Sequence, residues 1–270
     1  MISQTNNSYN LKVSIITPSF NTAQYIEETI ISIQKQDYPN IEHIIIDGAS
    51  TDNTIEVLKK YDDKITWISE SDQGMYDAIN KGFSIAKGDI LTYINTDDIY
   101  NSADAVSTVV NEFSKNDNAD FTYGHCSFVD ALGKFMYTYK APKFYREYSI
   151  AFPRGTFAQP TCFWRKEVHI PFDSSLQYSA DSKFFRYLCE NYNGKRLNKI
   201  IAKFRIREDC LTFKNLDGVR KEVELIYNDK NKTSPPIKFV LMDIFYRMLF
   251  LNFRTNIKRK ILQYKGDPYL

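Results

Sequence analysis

Residues 90–98 read Ile90-Leu91-Thr92-Tyr93-Ile94-Asn95-Thr96-Asp97-Asp98. The first five form the short apolar run of a buried β-strand, which puts Asp97 and Asp98 where that strand ends. Adjacent carboxylates repel unless something cationic lies between them. Oxygen-only ligands suit a hard divalent ion such as Mg²⁺ or Mn²⁺, with phosphates filling the remaining positions. In isolation a solvated turn, with Asp98 near a helix start, reads the same way, because Asp favours turns and caps for its own reasons. The neighbouring stretches decide between the two.

Upstream, residues 12–21 (KVSIITPSFN) read as a buried strand closed by Pro18. A helical stretch over 22–36 follows, with apolar spacing at Tyr25, Ile26, Ile30 and Ile33. A second strand, 43–46, runs into the turn DGASTDNT at 47–54, and a third, 65–68, runs into SESDQG at 69–74. Strand and helix alternate four times by residue 98, which predicts βαβ units and a parallel sheet. Ligands of such sheets sit beyond the carboxyl ends of the strands. Asp47, Asp72, Asp97 and Asp98 all fall there, with Pro18 and Ser19 on the same rim. Neither a P-loop nor a GxGxxG motif occurs among them, which weighs against a P-loop nucleotidase or a dinucleotide enzyme. Three acidic turns on one rim point to a metal-dependent nucleotide site.

Five stretches in order, VSIITPSFN (13–21), IIIDGASTDNT (44–54), SESDQGMYDAINKG (69–82), INTDD (94–98) and FDSSLQYSADSKFFRYL (172–188), resemble the family 2 glycosyltransferases. Residues 72–82 are especially similar to a bacterial subgroup of colanic-acid and surface-polysaccharide glycosyltransferases. The resemblance implies the GT-A fold: α/β, Rossmann-like, with a central mixed, mostly parallel sheet flanked by helices. It also implies a donor pocket in which Thr17, Pro18, Ser19 and Asn21 line the base and ribose. Asp47 would accept a hydrogen bond from a base N–H, a role that suits a carboxylate, with Gly48, Ser50 and Asp52 in the same turn. Asp72 and Gly74 would border the ribose and phosphate path, with Asn80 and Lys81 on the next helix; a plain surface lysine is the other reading of Lys81. Asn95, Asp97 and Asp98 match a DxD-type motif. Asp98 would bind Mn²⁺ or Mg²⁺ directly, and Asp97 would contact the ribose or a water on the metal.

By the same resemblance Asp181 is the base that takes the proton of the attacking hydroxyl, and Asp173 is a second candidate. The local sequence also suits Asp181 as a helix N-cap. Residues 204–210 (FRIREDC) lack the glycine of the flexible segment that many relatives carry there. Arg205 or Arg207 would reach the donor diphosphate or else sit on a solvated strand edge. Gln159-Pro160-Thr161 and Trp164 resemble the acceptor-side strand, with core packing as the competing account of Trp164. The implied reaction is inverting transfer of a sugar from a nucleotide-diphosphate donor, UDP-linked by preference, to a hydroxyl of a saccharide acceptor, lipid-linked or free, in surface-polysaccharide synthesis. The rivals are a nucleotidyltransferase, for which residues 18–21 lack the basic, glycine-rich loop, and a non-catalytic nucleotide- or carbohydrate-binding relative.

The 270 residues suffice for one substantial core plus an appendage. The expected division is a GT-A domain over 10–215 and a helical appendage over 216–270. Residues 236–270 carry seven Lys/Arg against two Asp, a balance of +5, so the remaining 235 residues carry −3 of the net +2. The apolar residues of this tail are interrupted by Lys238, Asp243, Arg247 and Arg254, so it is not read as a membrane span. A basic amphipathic helix over 236–262 lying on an anionic membrane is one reading. Helices packing on the core or in a homodimer are the other. Four scattered cysteines form no CxxC pair, which supports neither a zinc site nor a redox motif. The polar start lacks a signal-peptide core. Both points lead to the expectation of a cytoplasmic protein, peripheral at the inner face of the plasma membrane. An acidic rim excludes nucleic acid as the partner.

Overall fold

Every residue of β1 (Val13–Ser19) is buried in the computed structural model, which describes residues 11–143, 157–207, 210 and 215–227. Covering on both faces is what lets a parallel strand read as a continuous apolar run. Successive side chains feed opposite layers. Val13 and Ile15 join one core with Ile33, Val109 and Phe113, whereas Ile16 joins another with Ile79, Phe83 and Trp164. Each fully buried isoleucine contributes about 1.5–3 kcal/mol, so the central strands carry much of the fold's stability.

From β1 the chain runs through α1 (Ile26–Gln34), β2 (Ile41–Asp47), α2 (Thr54–Lys59), β3 (Thr66–Ser69), α3 (Met75–Ile85) and β4 (Ile90–Tyr93). The four strands are parallel in the order β3-β2-β1-β4. Their register pairs Ser19 with Asp47 and Asp47 with Ser69, so three strands end level on one rim. Helix α1 starts later than the periodicity predicts. The Thr22 amide donates to Thr54 Oγ1 and the Ala23 amide to Asp52 Oδ2, which holds that stretch as a loop across the rim.

Beyond β4 the sheet becomes mixed. β5 (Ile99–Tyr100) and α4 (Ala105–Lys115) are followed by the hairpin β6 (Phe121–Val129) and β7 (Phe135–Tyr139). Then come β8 (Phe163–Arg165), α5 (Ala180–Asn191), β9 (Gly194–Arg205) and α6 (Leu216–Tyr227). The path continues β4-β8-β6-β9-β5, with β8 antiparallel to β4 and β6, β9 parallel to β6, and β5 antiparallel to β9. Asp98 therefore leads into a short strand, not a helix.

β5 lies four steps from β4 along this path, which is about 19 Å in a flat sheet at ~4.8 Å per strand. Residues 94–98 must cover that gap while folding back through a turn in which the Asp98 amide donates to the Asn95 carbonyl at 3.1 Å. The sheet meets this constraint by curling, and the curl brings the end of β9 against the Asn95–Asp98 turn. Trp164 resolves to core: it is fully buried and packs on Phe184 with ring centroids 4.9 Å apart.

The expected domain boundary coincides with the start of α6, but that helix packs back on the α/β body. Arg186 of α5 donates to the Ile226 carbonyl, and Val223 is buried. Residues 228–270, and with them the basic stretch 236–262, lie outside the described residues. Among the described residues no helix is long and apolar enough to cross a membrane.

Helix α3 rests directly on β1 at Gly82, where an added Cβ would meet Ile16 Cγ2 at 2.4 Å. Gly82→Ala is expected to destabilise the fold by about 1–3 kcal/mol through overpacking. Urea unfolding of the two chains at equal m-value checks this.

Candidate active site

The level strand ends gather around Asp47, a carboxylate with no solvent exposure. Its Oδ1 accepts from the hydroxyls of Ser19 at 3.2 Å and Ser50 at 2.5 Å. Its Oδ2 accepts from the Ser50 amide at 2.9 Å and the Ser69 hydroxyl at 2.8 Å. A buried carboxylate costs several kcal/mol unless its lone pairs are satisfied. Here three strand ends satisfy it, and Asp47 in turn ties them together.

The sequence-predicted donor residues lie around this hub in different states. Thr17 and Pro18 are buried, and Thr17 Oγ1 shares a 2.9 Å hydrogen bond with His43 Nε2. Burial drives the His43 ring down to about 3, so it is neutral. Asn21 adopts φ +53°, and its Oδ1 accepts from the amides of Thr51 at 2.8 Å and Asp52 at 3.3 Å. Ser50 Oγ accepts from the Asn21 amide, while Asp52 caps Thr54. Together these residues shape the loop and present its backbone.

Asp72 differs from Asp47 in being partly open. Its Oδ1 accepts from the Gly74 amide at 2.8 Å, and its Oδ2 lies over Gly48, where a Cβ would meet it at 2.6 Å. Gly48 is thus the vacancy into which the Asp72 carboxylate fits. Gly74, at φ +118°, turns the chain into α3 in a conformation that disfavours any side chain.

Two residues of α3 have their predicted polar groups engaged elsewhere. Asn80 clasps the backbone of Phe172, donating to its carbonyl and accepting from its amide, both at 2.8 Å. Lys81 pairs with Glu70 at 2.8 Å and Asp77 at 3.4 Å and donates to the Ser71 carbonyl.

The Asn95–Asp98 turn is held from three sides. Thr29 Oγ1 of α1 lies 2.8 Å from the carbonyls of both Thr96 and Asp98. Arg205 donates from its amide to Asp98 Oδ1 at 2.9 Å and from Nε to the Asp97 carbonyl at 3.1 Å. Arg207 Nε holds Asp97 Oδ2 at 2.8 Å, and both guanidinium groups lie over the Tyr25 ring.

Asp98 Oδ2 and Asn95 Oδ1 remain buried without a partner. An orphaned buried acceptor costs about 1–3 kcal/mol, and burial together with the Asp97 charge pushes the Asp98 carboxyl well above the ordinary carboxylate range. A hard cation relieves both strains, so the donor set fits Mg²⁺ or Mn²⁺. No group of three or more His, Cys, Asp or Glu able to hold a metal occurs among the described residues. The cation's further ligands would therefore be phosphate and water oxygens.

Asp181 lies in the first turn of α5. The Tyr76 hydroxyl at 3.1 Å and the Ser182 amide at 2.8 Å both donate to Oδ1, leaving Oδ2 without a hydrogen bond from another of the described residues. Burial raises the Asp181 carboxyl above its ordinary value. The aromatic packing beneath explains the desolvation: Tyr76 stacks on Phe172 at 5.9 Å, and Phe172 on Phe184 at 4.7 Å. Tyr93 lies within electrostatic reach of both Asp181 and Asp98, whose charges add to burial in raising its hydroxyl. Both acids therefore act on Tyr93, the last residue of β4. Asp173, by contrast, is bound by Lys183 at 2.7 Å and by Ser175, which holds its carboxyl at about 2; it is a poor base.

Sequence reasoning overlooked Tyr76, although it lies inside the quoted stretch 69–82. The signal was a tyrosine at a helical position that faces the core, where a buried hydroxyl must find a partner.

The family model for glycosyl transferase family 2 matches residues 14–170, more than half of the chain. An uncharacterized glycosyltransferase of Rickettsia typhi is 30% identical over 194 residues, covering 67% of this chain and 60% of the relative. Chondroitin synthase of Pasteurella multocida is 30% identical over 223 residues, 80% of this chain but 23% of that protein. The chain thus spans about 60% or less of the length of these curated relatives. Among solved structures, residues 1–349 of TarS from S. aureus superpose with a TM-score of 0.60 at 18% identity, covering 83% of this chain and 67% of that one. The mannosyltransferase PcManGT from Pyrobaculum calidifontis, in complex with GDP-Man and Mn²⁺, superposes at 0.61 and 18%, covering 85% and 67%. At these identities the likeness is one of fold, the GT-A arrangement of a curled, mostly parallel sheet with flanking helices. On the extent of the family match, the chain belongs to glycosyl transferase family 2.

Proposed function

We propose that the chain transfers a sugar from a nucleotide-diphosphate donor, UDP-linked by preference, to a hydroxyl of a saccharide acceptor, with inversion at the anomeric carbon. One observation carries this reading: two acids with raised carboxyls and different surroundings both act on Tyr93 at the end of β4. Asp98 presents a buried oxygen that lacks a partner. Asp181 presents a free oxygen on a carboxyl whose affinity for protons is raised. The first suits a charge-neutralising site at the diphosphate, and the second suits a general base.

In this reading Asp181 Oδ2 takes the proton of the attacking hydroxyl while Tyr76 and the Ser182 amide hold Oδ1. The hydroxyl oxygen bonds to the anomeric carbon as the bond to the diphosphate oxygen breaks. A divalent ion at Asp98 supplies positive charge to the leaving diphosphate. Asp72, half-buried at the rim, borders the ribose, and the Asn21–Asp52 loop offers its backbone to the base. Complexes of TarS with UDP-GlcNAc and of PcManGT with GDP-Man support a nucleotide sugar as the donor class. The basic composition of residues 236–262 supports a membrane-peripheral protein at the cytoplasmic face, acting on a lipid-linked saccharide in surface-polysaccharide synthesis.

Three measurements test the reading. Asp98→Asn keeps an acceptor for the Arg205 amide but removes the charge. It is expected to abolish the Mn²⁺-dependent part of the thermal shift given by UDP, GDP or dTDP, which at ~100 times the dissociation constant is worth about 2.7 kcal/mol. A shift unchanged by the substitution rejects Asp98 as the metal ligand.

Asp181→Asn is expected to lower turnover by about 10²–10⁴-fold without weakening nucleotide binding. It should not destabilise the chain at neutral pH. A carboxyl whose pKa is raised on folding lends stability below its unfolded pKa and loses it as pH rises through the folded one, so the amide removes a neutral-pH penalty. Wild-type turnover should show an acid limb above the ordinary carboxylate range, and turnover by Asp181→Asn equal to wild type would reject the base.

Flotation with anionic vesicles should recover the chain at low salt and release it at high salt. Lys258→Ala, Arg259→Ala and Lys260→Ala combined should weaken that recovery. Equal recovery with neutral vesicles rejects the electrostatic membrane contact.

A further inference from the structure

The segment leading into Asp181 has an anchor outside the α/β body. Glu222 of α6 accepts from two consecutive backbone amides, Gln177 at 2.7 Å on Oε1 and Tyr178 at 2.9 Å on Oε2. These amides lie just before α5, whose N-cap position, Ser179, makes no side-chain capping bond. The contact is reinforced on both sides. Asn215 Nδ2 donates to the Tyr178 hydroxyl at 2.9 Å, and Arg186 donates from α5 to the Ile226 carbonyl at 2.7 Å. α6 comes so close that a Cβ on Gly218 would meet Tyr178 Cε2 at 2.8 Å.

We propose that Glu222 is a positioning residue for Asp181: it clamps the amides of residues 177 and 178 and so fixes the carboxylate against Tyr76, and its charge acts on Asp181 across the clamp. The proposal rests on the transfer reading for its consequence in catalysis, but not for the clamp itself. Titratable groups that act on Asp181, or on which it acts, include Tyr76 from α3, Tyr93 from β4 and Glu222 from α6. On its own helix, Lys183 is drawn to Asp173, and Arg186 to Glu190 and Ile226. Glu222 is thus the one anionic group among them. With burial, it favours the protonated form of Asp181 and raises the Tyr76 hydroxyl. Geometry and charge act separately here, and two substitutions divide them. Glu222→Gln removes the charge and turns an NH₂ group toward a backbone N–H. Glu222→Asp keeps the charge but shortens the reach by one methylene.

The test uses the full chain. It reads amide hydrogen exchange at Gln177 and Tyr178, a ¹³C-carboxyl titration of Asp181, and release of UDP from a panel of UDP-sugars, with water as the acceptor. In Glu222→Gln the two amides are expected to lose protection and Asp181 to titrate at lower pH. UDP release should fall about 10-fold or more, as expected when a reacting group is misplaced by a fraction of an ångström to 1 Å, and its acid limb should move to lower pH. In Glu222→Asp the amides should loosen and release should fall, with the titration of Asp181 close to wild type. Mn²⁺-dependent UDP binding should be unchanged in both, which also reports that the donor half is folded.

Unchanged amide protection in Glu222→Gln overturns the proposal. So does loosening with no movement of Asp181 in that variant, because the role is then structural only. Loosened amides and a shifted Asp181 in a protein whose wild type releases no UDP support the clamp and instead reject the transfer reading.

Discussion

Arg205 is the residue on which the arrangement of this molecule turns. Its guanidinium is 5% exposed, yet it reaches Glu28 on α1, the Asp97 carbonyl and the Ala131 carbonyl of the β6–β7 turn, while its amide holds Asp98. A cation this buried is tolerable only when paired and fully hydrogen-bonded. Those partners come from α1, the end of β4 and the β6–β7 turn, and they meet at Arg205 on the end of β9. Satisfying one buried arginine thus draws these segments together, and the acidic turn is part of what satisfies it.

The rim shows the same logic at a second acid. Asp47 and Asp98 are both buried carboxylates at strand ends, but the first has four donors and the second has one oxygen without any. Local chemistry explains the contrast. Asp47 is surrounded by Ser19, Ser50 and Ser69, whose hydroxyls rotate to meet it. Asp98 has Asn95 beside it, itself an acceptor left unpaired at Oδ1. A saturated carboxylate is a strut; an unsaturated one in the same setting retains affinity for an external cation. The difference between scaffold and site is therefore a matter of donor count.

Much of this was legible in the sequence because it is written in short-range patterns. The isoleucine runs at 13–16, 43–46 and 90–94 specify buried strands, and the acids after them fall at the rim through strand–helix alternation alone. What could not be read was any role set by a partner far along the chain. Asn80 looks like a donor-facing polar residue on α3, but its amide is committed to Phe172, 92 positions away. Tyr76 finds Asp181 at a separation of 105 and Arg205 finds Asp98 at 107. The sequence allows two readings of Lys81, and three acceptors within eleven residues of it, Glu70, Ser71 and Asp77, engage it. Helix α1 is shorter than its apolar spacing suggests: Thr22 and Ala23 are tied to Thr54 and Asp52, and residues 22–25 form a turn that leads into it.

The two halves of the site are supported in different ways. At the strand ends the acids are braced by the sheet itself, through register and through Arg205 and Thr29. Asp181 lies in the first turn of a helix and not at a strand end. It is held by one tyrosine hydroxyl, by the first turn of α5, and by a loop pinned to α6. The family match ends at residue 170, so both Asp181 and Glu222 fall beyond the part of the chain that the family model describes. A sheet edge admits little variation without breaking register, whereas a loop pinned by a helix can be shifted by changing the helix. The half of the candidate site at the strand ends is thus constrained by the fold. The half around Asp181 is constrained by side-chain contacts that can be altered one at a time. A surface built in this way can change its shape without disturbing the acids at the strand ends.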